Sequence, residues 1–285
     1  MQYQSYKRIL TIQDISCVGQ CSGTVALPII SACGQECCII PSAVLSTHTG
    51  GFSGFTFRDL SEDIQLIEKH WRSEEIKFDC IYTGYLGSTS QIAYVKSIIG
   101  TCLKEGGKVI VDPAMADNGK LYGNFGMDYV KEMRTLCAMA DVVIPNITEA
   151  SLLTDKPYME KYGQDYVYSL VEALKGLGSR AVLMTGVGYA DGKTGVLADG
   201  PEGRYYYEHD YLRTEIKPNG WHGTGDVYAS AFAGAWAGGK SMEEAARVAA
   251  DYVVECIKET LDAPEHWYGV RFERAIPWLI KALEN

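Results

Sequence analysis

Late in the chain, Gly223-Thr224-Gly225-Asp226 opens a run of small apolar residues, DVYASAFAGAWAGG. The glycines let successive backbone N–H groups converge, and a helix starting there turns its positive end toward the same point. That is a cradle for an anion. A carboxylate placed in it would repel a phosphate that only had to bind. Asp226 makes sense where a hydroxyl must lose its proton as it attacks phosphorus. Read alone, the four residues also fit a tight turn with Asp226 as an ordinary helix-start residue. Other polar residues stand where strands are expected to end: Asp14, the stretch STHTGG at 46–51, Gly84-Tyr85, Asp112, Asn146 and Thr185. On a parallel sheet these would lie along one edge, where ligands of open α/β sheets bind.

The elements that must position them follow from periodicity. Strand patterns occur at 8–13, 36–45, 78–83, 108–111, 142–144 and 180–184. Helical spacing occurs at 22–33, 57–71, 88–103, 128–138, 147–154, 166–177, 226–238, 242–261 and 272–283. The stretch 195–209 reads as a hairpin turning at 200–203. The alternation predicts an α/β fold with a mostly parallel central sheet and a small antiparallel hairpin. No linker, repeat or low-complexity tract interrupts it, so residues 1–285 are expected to form a single domain.

The ordered motifs carry a resemblance. GTGD before a small-residue helix resembles the C-terminal signature of the ribokinase-like superfamily. LTIQD, LSTHTGGFSG, YTGYLGS, VDPAMADNGKLY and DVVIPNITEASLLT resemble, in order, segments of the pyridoxal/pyridoxamine kinase family. The likeness spans nearly the whole chain and lacks the long N-terminal lid insertion of the sugar kinases. It implies a three-layer αβα fold and ATP- and Mg²⁺-dependent phosphorylation of the 5′-hydroxyl of a vitamin B6 vitamer, in a homodimer. By the same resemblance Asp226 would be the general base, and Gly223, Thr224 and Gly225 would hold phosphate through backbone amides. Asp112 would lie near metal and phosphates, while Asn146 and Glu149 match an N-x-x-E motif that positions Mg²⁺ and its waters. The metal residues implied are thus Glu149 and Asp112. Thr185 would touch ATP phosphates, Asp117 would lie in a nucleotide-side loop, and Thr49 and Tyr85 would line the pyridine ring.

Bland readings stand beside these. Asn146 and Glu149 could simply cap the following helix. Asp112 before Pro113 could be a turn residue, and Thr49 mere loop polarity. Lys120 could reach a phosphate or be solvated, and His48 and His222 flank the candidate site. One position departs from the family, which generally has serine after the IQ of the first strand where this chain has Asp14. A carboxylate there would favour the charged aminomethyl group of pyridoxamine. Alternatively it bonds to the loop at Ser16 and never meets substrate. A hydroxymethylpyrimidine or other small-alcohol kinase of the same superfamily stays open, as does a catalytically silent ligand sensor. An oxidoreductase does not fit, because the first strand runs into QDISCVGQCSG rather than G-x-G-x-x-G.

Composition bounds the partners. A net charge of -10 disfavours nucleic acid but not a small anion in a local cradle. The N-terminal stretch is too polar for a signal peptide, and no apolar run suffices to span a bilayer. A cytoplasmic protein that binds ATP and a vitamer, with no membrane or nucleic-acid partner, is therefore expected. Its nine cysteines read as reduced and mostly buried. Cys17, Cys21, Cys33 and Cys37 could also hold zinc, against which stand a spacing that is not C-x-x-C and the lack of a paired histidine.

Overall fold

The computed structural model describes residues 6–123, 125–212 and 221–284. Residues 1–5 of the polar N-terminal stretch lie outside it. In chain order the first half runs β1 (Arg8–Ser16), α1 (Gly23–Ala32), β2 (Glu36–Leu45), β3 (Phe57–Asp59), α2 (Ser61–Ser73), β4 (Phe78–Thr83), α3 (Thr89–Cys102), β5 (Leu103–Val111), β6 (Ala116–Asp117), β7 (Lys120–Leu121) and α4 (Met127–Cys137). The second half runs β8 (Val142–Val143), α5 (Ile147–Leu153), α6 (Gln164–Gly176), β9 (Ala181–Thr185), β10 (Lys193–Gly200), β11 (Gly203–Asp210), α7 (Thr224–Ala237), α8 (Met242–Lys258) and α9 (Phe272–Glu284).

Nine strands form one sheet in the order β11-β10-β9-β8-β5-β4-β1-β2-β3. Strands β2, β1, β4, β5, β8 and β9 are mutually parallel. The β10–β11 hairpin continues the sheet antiparallel beyond β9, and β3 closes the other edge antiparallel to β2. Side chains alternate across the pleat into two separate cores. Ile9, Tyr82, Ile110 and Leu183 face α1, α7, α8 and α9. Leu10, Ile12, Ile81, Val111 and Met184 face α2 through α6. The result is three layers, helices on sheet on helices. Both faces of the central strands are covered, which explains their unbroken apolar runs.

Helix α7 is buried on almost every side, and its alanines and Gly234 permit that. A Cβ at Gly234 would press on the side chain of Cys33 in α1. The segment 57–71 is not one helix. Phe57, Arg58 and Asp59 pair with Leu45, Val44 and Ala43, and the helix begins only at Ser61, whose N–H donates to Asp59 Oδ1 at 2.8 Å. Helical spacing hid this because a three-residue edge strand is too short to show a period. Asp14 likewise lies within β1 rather than after it, at a register shift between Gln13 and Ile15. Among the described residues no helix is long and apolar enough to cross a membrane. All nine cysteines are free thiols, with Cys33, Cys80, Cys102, Cys137 and Cys256 buried and Cys17 exposed.

From β1 the chain moves outward to β2 and β3, and from β4 it moves the other way through β5, β8 and β9. The connections diverge between β1 and β4, which opens a crevice at the carboxyl ends of those strands.

Candidate active site

The turn before α7 is shaped by two glycines with different duties. Gly223 is left-handed, φ 77°, and a Cβ there would run into the carbonyl oxygen of Gln20. Only glycine fits, and the close approach pins the β1–α1 loop onto the turn. Gly225 is exposed, with open space where its Cβ would stand. Thr224 Oγ1 donates to the carbonyl of Trp221 at 3.2 Å, which fixes the turn from within. The first N–H with a helical partner is that of Val227, bonded to Gly223 O at 3.0 Å. The N–H groups of Thr224, Gly225 and Asp226 thus belong to the unpaired first turn of a 14-residue helix. An anion fits this opening, which a side chain at 225 would fill.

Asp226 is half-buried beside that opening. Desolvation pushes its carboxyl up to about 7; a backbone hydrogen bond from Ser22 opposes the rise and the charge of Asp14 adds to it. A carboxyl near neutrality is matched to taking and releasing a proton at working pH.

Asp14 is 4 % exposed. The hydroxyl of Ser16 donates to its Oδ2 at 2.9 Å. Burial raises its pKa against hydrogen bonding from Ser22 and Ser16 and the proximity of His48. Asp14 is therefore tied to its own loop, and it also acts electrostatically on Asp226, Tyr85 and Cys21. Ser22 is 7 % exposed and, at φ 56° and ψ -135°, adopts a backbone shape that non-glycine residues avoid. It precedes α1, yet its side chain makes no cap bond to that helix. Tyr85 stands past β4 with its ring 5.6 Å from Phe125, and burial pushes its phenol up to about 12.

The loop after β2 is held by His48. Gly50 N–H donates to its Nδ1 at 3.0 Å, so Nε2 carries the proton and donates to the carbonyl of Tyr268 at 2.6 Å. The His48 and His222 rings lie 5.5 Å apart, and a Cβ at Gly50 would collide with His222. Thr49 is exposed in this loop.

The second group of acids sits at the ends of β5 and β8. Asp112 is buried, its N–H bonded to Thr83 O at 2.9 Å and its Oδ1 accepting from Ala114 N at 3.1 Å. Burial, then the charges of Glu149 and Asp226, hold its carboxyl well above the usual range. Asn146 and Glu149 form a capping box on α5, so the helix-cap reading is realised. Asn146 Oδ1 accepts from Glu149 N at 2.9 Å, and Glu149 Oε2 accepts from Asn146 N at 3.0 Å. Glu149 Oε1 reaches further, accepting from Met115 N at 2.9 Å and Ala116 N at 3.4 Å, while Asn146 Nδ2 donates to Ala116 O at 2.8 Å. The cap thus doubles as the anchor of the loop that carries Asp112. Burial lifts Glu149 to about 7 despite these three N–H groups. Thr185 bridges to Asn146 at the end of β9, and its N–H donates to Pro145 O at 3.0 Å. Asp117 is exposed in β6, bonded to Asn118, and contributes charge at Glu149. Lys120 is exposed in β7.

Asp14 acts electrostatically on Asp226, and Asp226 and Glu149 on Asp112, so the four acids at these strand and helix ends are near neighbours. Tyr122 lies near them: it is exposed at the rim, and desolvation and the charges of Glu149, Asp117, Asp112 and Asp226 raise its hydroxyl. Sequence reasoning singled out neither Tyr122 nor Ser22. Tyr122 follows the charged loop but is one of 19 tyrosines, and Ser22 is marked only by its backbone. Among the described residues no three His, Cys, Asp or Glu side chains converge as a metal cage. No Lys or Arg among them pairs with Asp112 or Glu149 either. Uncompensated acids with few direct donors fit Mg²⁺, which takes most of its ligands from water and phosphate.

The family model described as phosphomethylpyrimidine kinase matches residues 27–270. A Bacteroides thetaiotaomicron protein provisionally named a phosphomethylpyrimidine kinase, solved with pyridoxal, is 35% identical with a TM-score of 0.89, over 96% of each chain. Pyridoxal kinase from Lactobacillus plantarum is 28% identical with a TM-score of 0.88, over 98% of this chain and 99% of that one. The thiamine biosynthetic bifunctional enzyme TH1 of Arabidopsis thaliana is 27% identical across 91% of this chain, which spans about half, 51%, of that protein's length.

Proposed function

Because the chain belongs to the phosphomethylpyrimidine kinase family, we propose that it transfers the γ-phosphoryl group of ATP to the 5′-hydroxyl of a vitamin B6 vitamer. One observation carries this reading: the Asp226 carboxyl stands on the unpaired first turn of α7, beside open space at Gly225. The acceptor oxygen attacks phosphorus, the bond from phosphorus to the ADP oxygen breaks, and the hydroxyl proton passes to the Asp226 carboxylate. The N–H groups of 224–226 face charge that builds on the transferring oxygens. Asp112 would hold Mg²⁺, with Glu149 fixing the loop behind it. When bound, the ion supplies positive charge against the phosphate oxygens. Thr185 and Asp117 would lie on the nucleotide side.

The vitamer assignment is supported by Tyr85 and Asp14 on the β1–β4 side of the crevice and by the pyridoxal bound to the Bacteroides relative. Asp14 would favour the cationic aminomethyl group of pyridoxamine. Hydroxymethylpyrimidine is the second reading, favoured by the family description itself. A coupled kinase assay across pyridoxal, pyridoxine, pyridoxamine, hydroxymethylpyrimidine and a sugar alcohol tests both. Turnover confined to the pyrimidine would overturn the vitamer assignment. Ligand-dependent melting with no ATP turnover on any alcohol would make the protein a sensor.

A further inference from the structure

The loop that carries Tyr85 leaves β4 at Gly84, whose N–H donates to Ile12 O at 3.1 Å. The next three residues are each held by a side chain from a different element. The carbonyl of Tyr85 accepts from Ser42 Oγ of β2 at 3.0 Å. The carbonyl of Leu86 accepts from Tyr129 OH of α4 at 2.7 Å. The N–H of Gly87 donates to Gln91 Oε1 of α3 at 2.7 Å. These groups lie past β4 and ahead of α3, so side chains rather than a ladder set the course of the loop.

Gln91 is the hub of this arrangement. It is the third residue of α3 and is fully buried. Ser88 Oγ accepts from its backbone N–H at 3.3 Å. A closed capping box would return the Gln91 side chain to the N–H of Ser88. Its Oε1 instead takes Gly87, and its Nε2 turns to the sheet edge. There it donates to Ser42 O at 2.9 Å, Ser61 Oγ at 3.0 Å and Asp59 Oδ2 at 3.3 Å. The amide has one orientation only, because a backbone N–H cannot accept and a carbonyl cannot donate. Ser42 is the second link, bonded to Gln91 through its carbonyl and to Tyr85 through its hydroxyl. On the other side the Tyr85 ring meets Phe125 at 5.6 Å, and Phe125 stacks on Tyr129 at 3.9 Å. None of these bonds involves α7 or the loop of Asp112.

We propose that Gln91 is a positioning residue for the acceptor alcohol: it fixes the backbone of 85–87, and with it the Tyr85 ring, in the orientation that meets the ring of the substrate. A side chain held in place beforehand loses little freedom when ligand binds, so the clamp acts on affinity for the alcohol and leaves ATP alone. The clamp stands on the hydrogen bonds; its effect on the substrate rests on the reading of Tyr85 as lining the pyridine ring.

Gln91→Met in the full chain keeps the length of the side chain and removes every bond of the amide. Hydrogen exchange at the Gly87 N–H should quicken at least about tenfold, and the KM for the alcohol should rise about tenfold, with kcat and the KM for ATP unchanged. A general loosening would raise both KM values or lower kcat, and either result overturns the assignment. Combining Gln91→Met with Tyr85→Ala tests the route: once the ring is gone, the hub should add nothing further to the KM for the alcohol. A full additive rise in the double variant means that Gln91 does not act through Tyr85. Should Gln91→Met fail to fold, Ser42→Ala decides, since it removes only the hydroxyl that holds Tyr85 O and should raise the same KM about threefold; an unchanged KM overturns the clamp's role. Unchanged exchange at Gly87 in Gln91→Met overturns the clamp itself, whatever the protein phosphorylates. If the wild type phosphorylates no alcohol, the proposed function fails, and exchange at Gly87 still decides the clamp.

Discussion

Replacing Asp226 by asparagine should remove turnover and make the ligand-free protein more stable. The amide keeps the shape and can still accept the backbone hydrogen bond from Ser22. What it removes is a charge the folded site disfavours. Raising a carboxyl from its ordinary 3.8 to about 7 corresponds to a ceiling of about 4 kcal/mol at about 1.4 kcal/mol per pH unit. The half-buried carboxylate keeps part of its hydration, so a gain of about 1–2 kcal/mol at pH 8 is expected. That corresponds to a Tm higher by about 3–6 °C. The sign follows from linkage. Because the folded pKa is raised, the cost of ionising Asp226 is absent below pH 4, grows between pH 4 and 7, and is constant above. Wild type and variant should therefore melt together at pH 4 and separate by pH 8. Calorimetry at several pH values measures the separation, and a coupled assay should show kcat reduced at least about 100-fold. A variant no more stable than wild type at pH 8, or a difference that ignores pH, would refute the reasoning.

Other substitutions separate binding from folding. Gly225→Ala should leave the Tm unchanged but raise the KM for ATP about tenfold, since its Cβ enters only the anion opening, whereas Gly223→Ala should destabilise by about 3 kcal/mol in denaturant titration through left-handed strain and collision with Gln20. Glu149→Gln places a donor against backbone N–H groups of Asn146, Met115 or Ala116 and should cost about 2 kcal/mol, with faster hydrogen exchange at Met115 and Ala116. Asp14→Ser should reduce the ratio of kcat/KM for pyridoxamine over pyridoxine about tenfold. An unchanged ratio would confine Asp14 to its bond with Ser16.

The layering and the strand-end acids were legible because they depend on short-range patterns. Alternation fixes which side of the sheet Ile9 and Leu10 face, and a parallel sheet brings strand ends to one edge. Asn146 and Glu149 could be read as either cap or metal residues, and the structure shows why one spacing suits both descriptions. The Glu149 carboxylate closes the cap and also holds the Met115 and Ala116 amides, a contact 34 residues distant in sequence at Met115. No local pattern encodes that reach. Ser22 was invisible for a different reason. A serine before a helix predicts a cap, and here tertiary packing places it in a strained conformation between Asp14 and Asp226 instead. The strand β3 was lost because three residues carry no period.

Gln20, carried by the loop after the first strand, closes over Gly223, which opens a helix about 200 residues later. This fixes an order of events during synthesis. The parallel strands through β9 leave the ribosome before the turn at Gly223 exists, and Asp226 is the last of the four crevice acids to be delivered. A nascent chain therefore carries Asp14, Asp112 and Glu149 before Asp226, the proposed base. On the reading of Asp226 as base, phosphoryl transfer would start only when the segment from α7 onward docks, so an incomplete product of translation would be silent rather than wasteful of ATP.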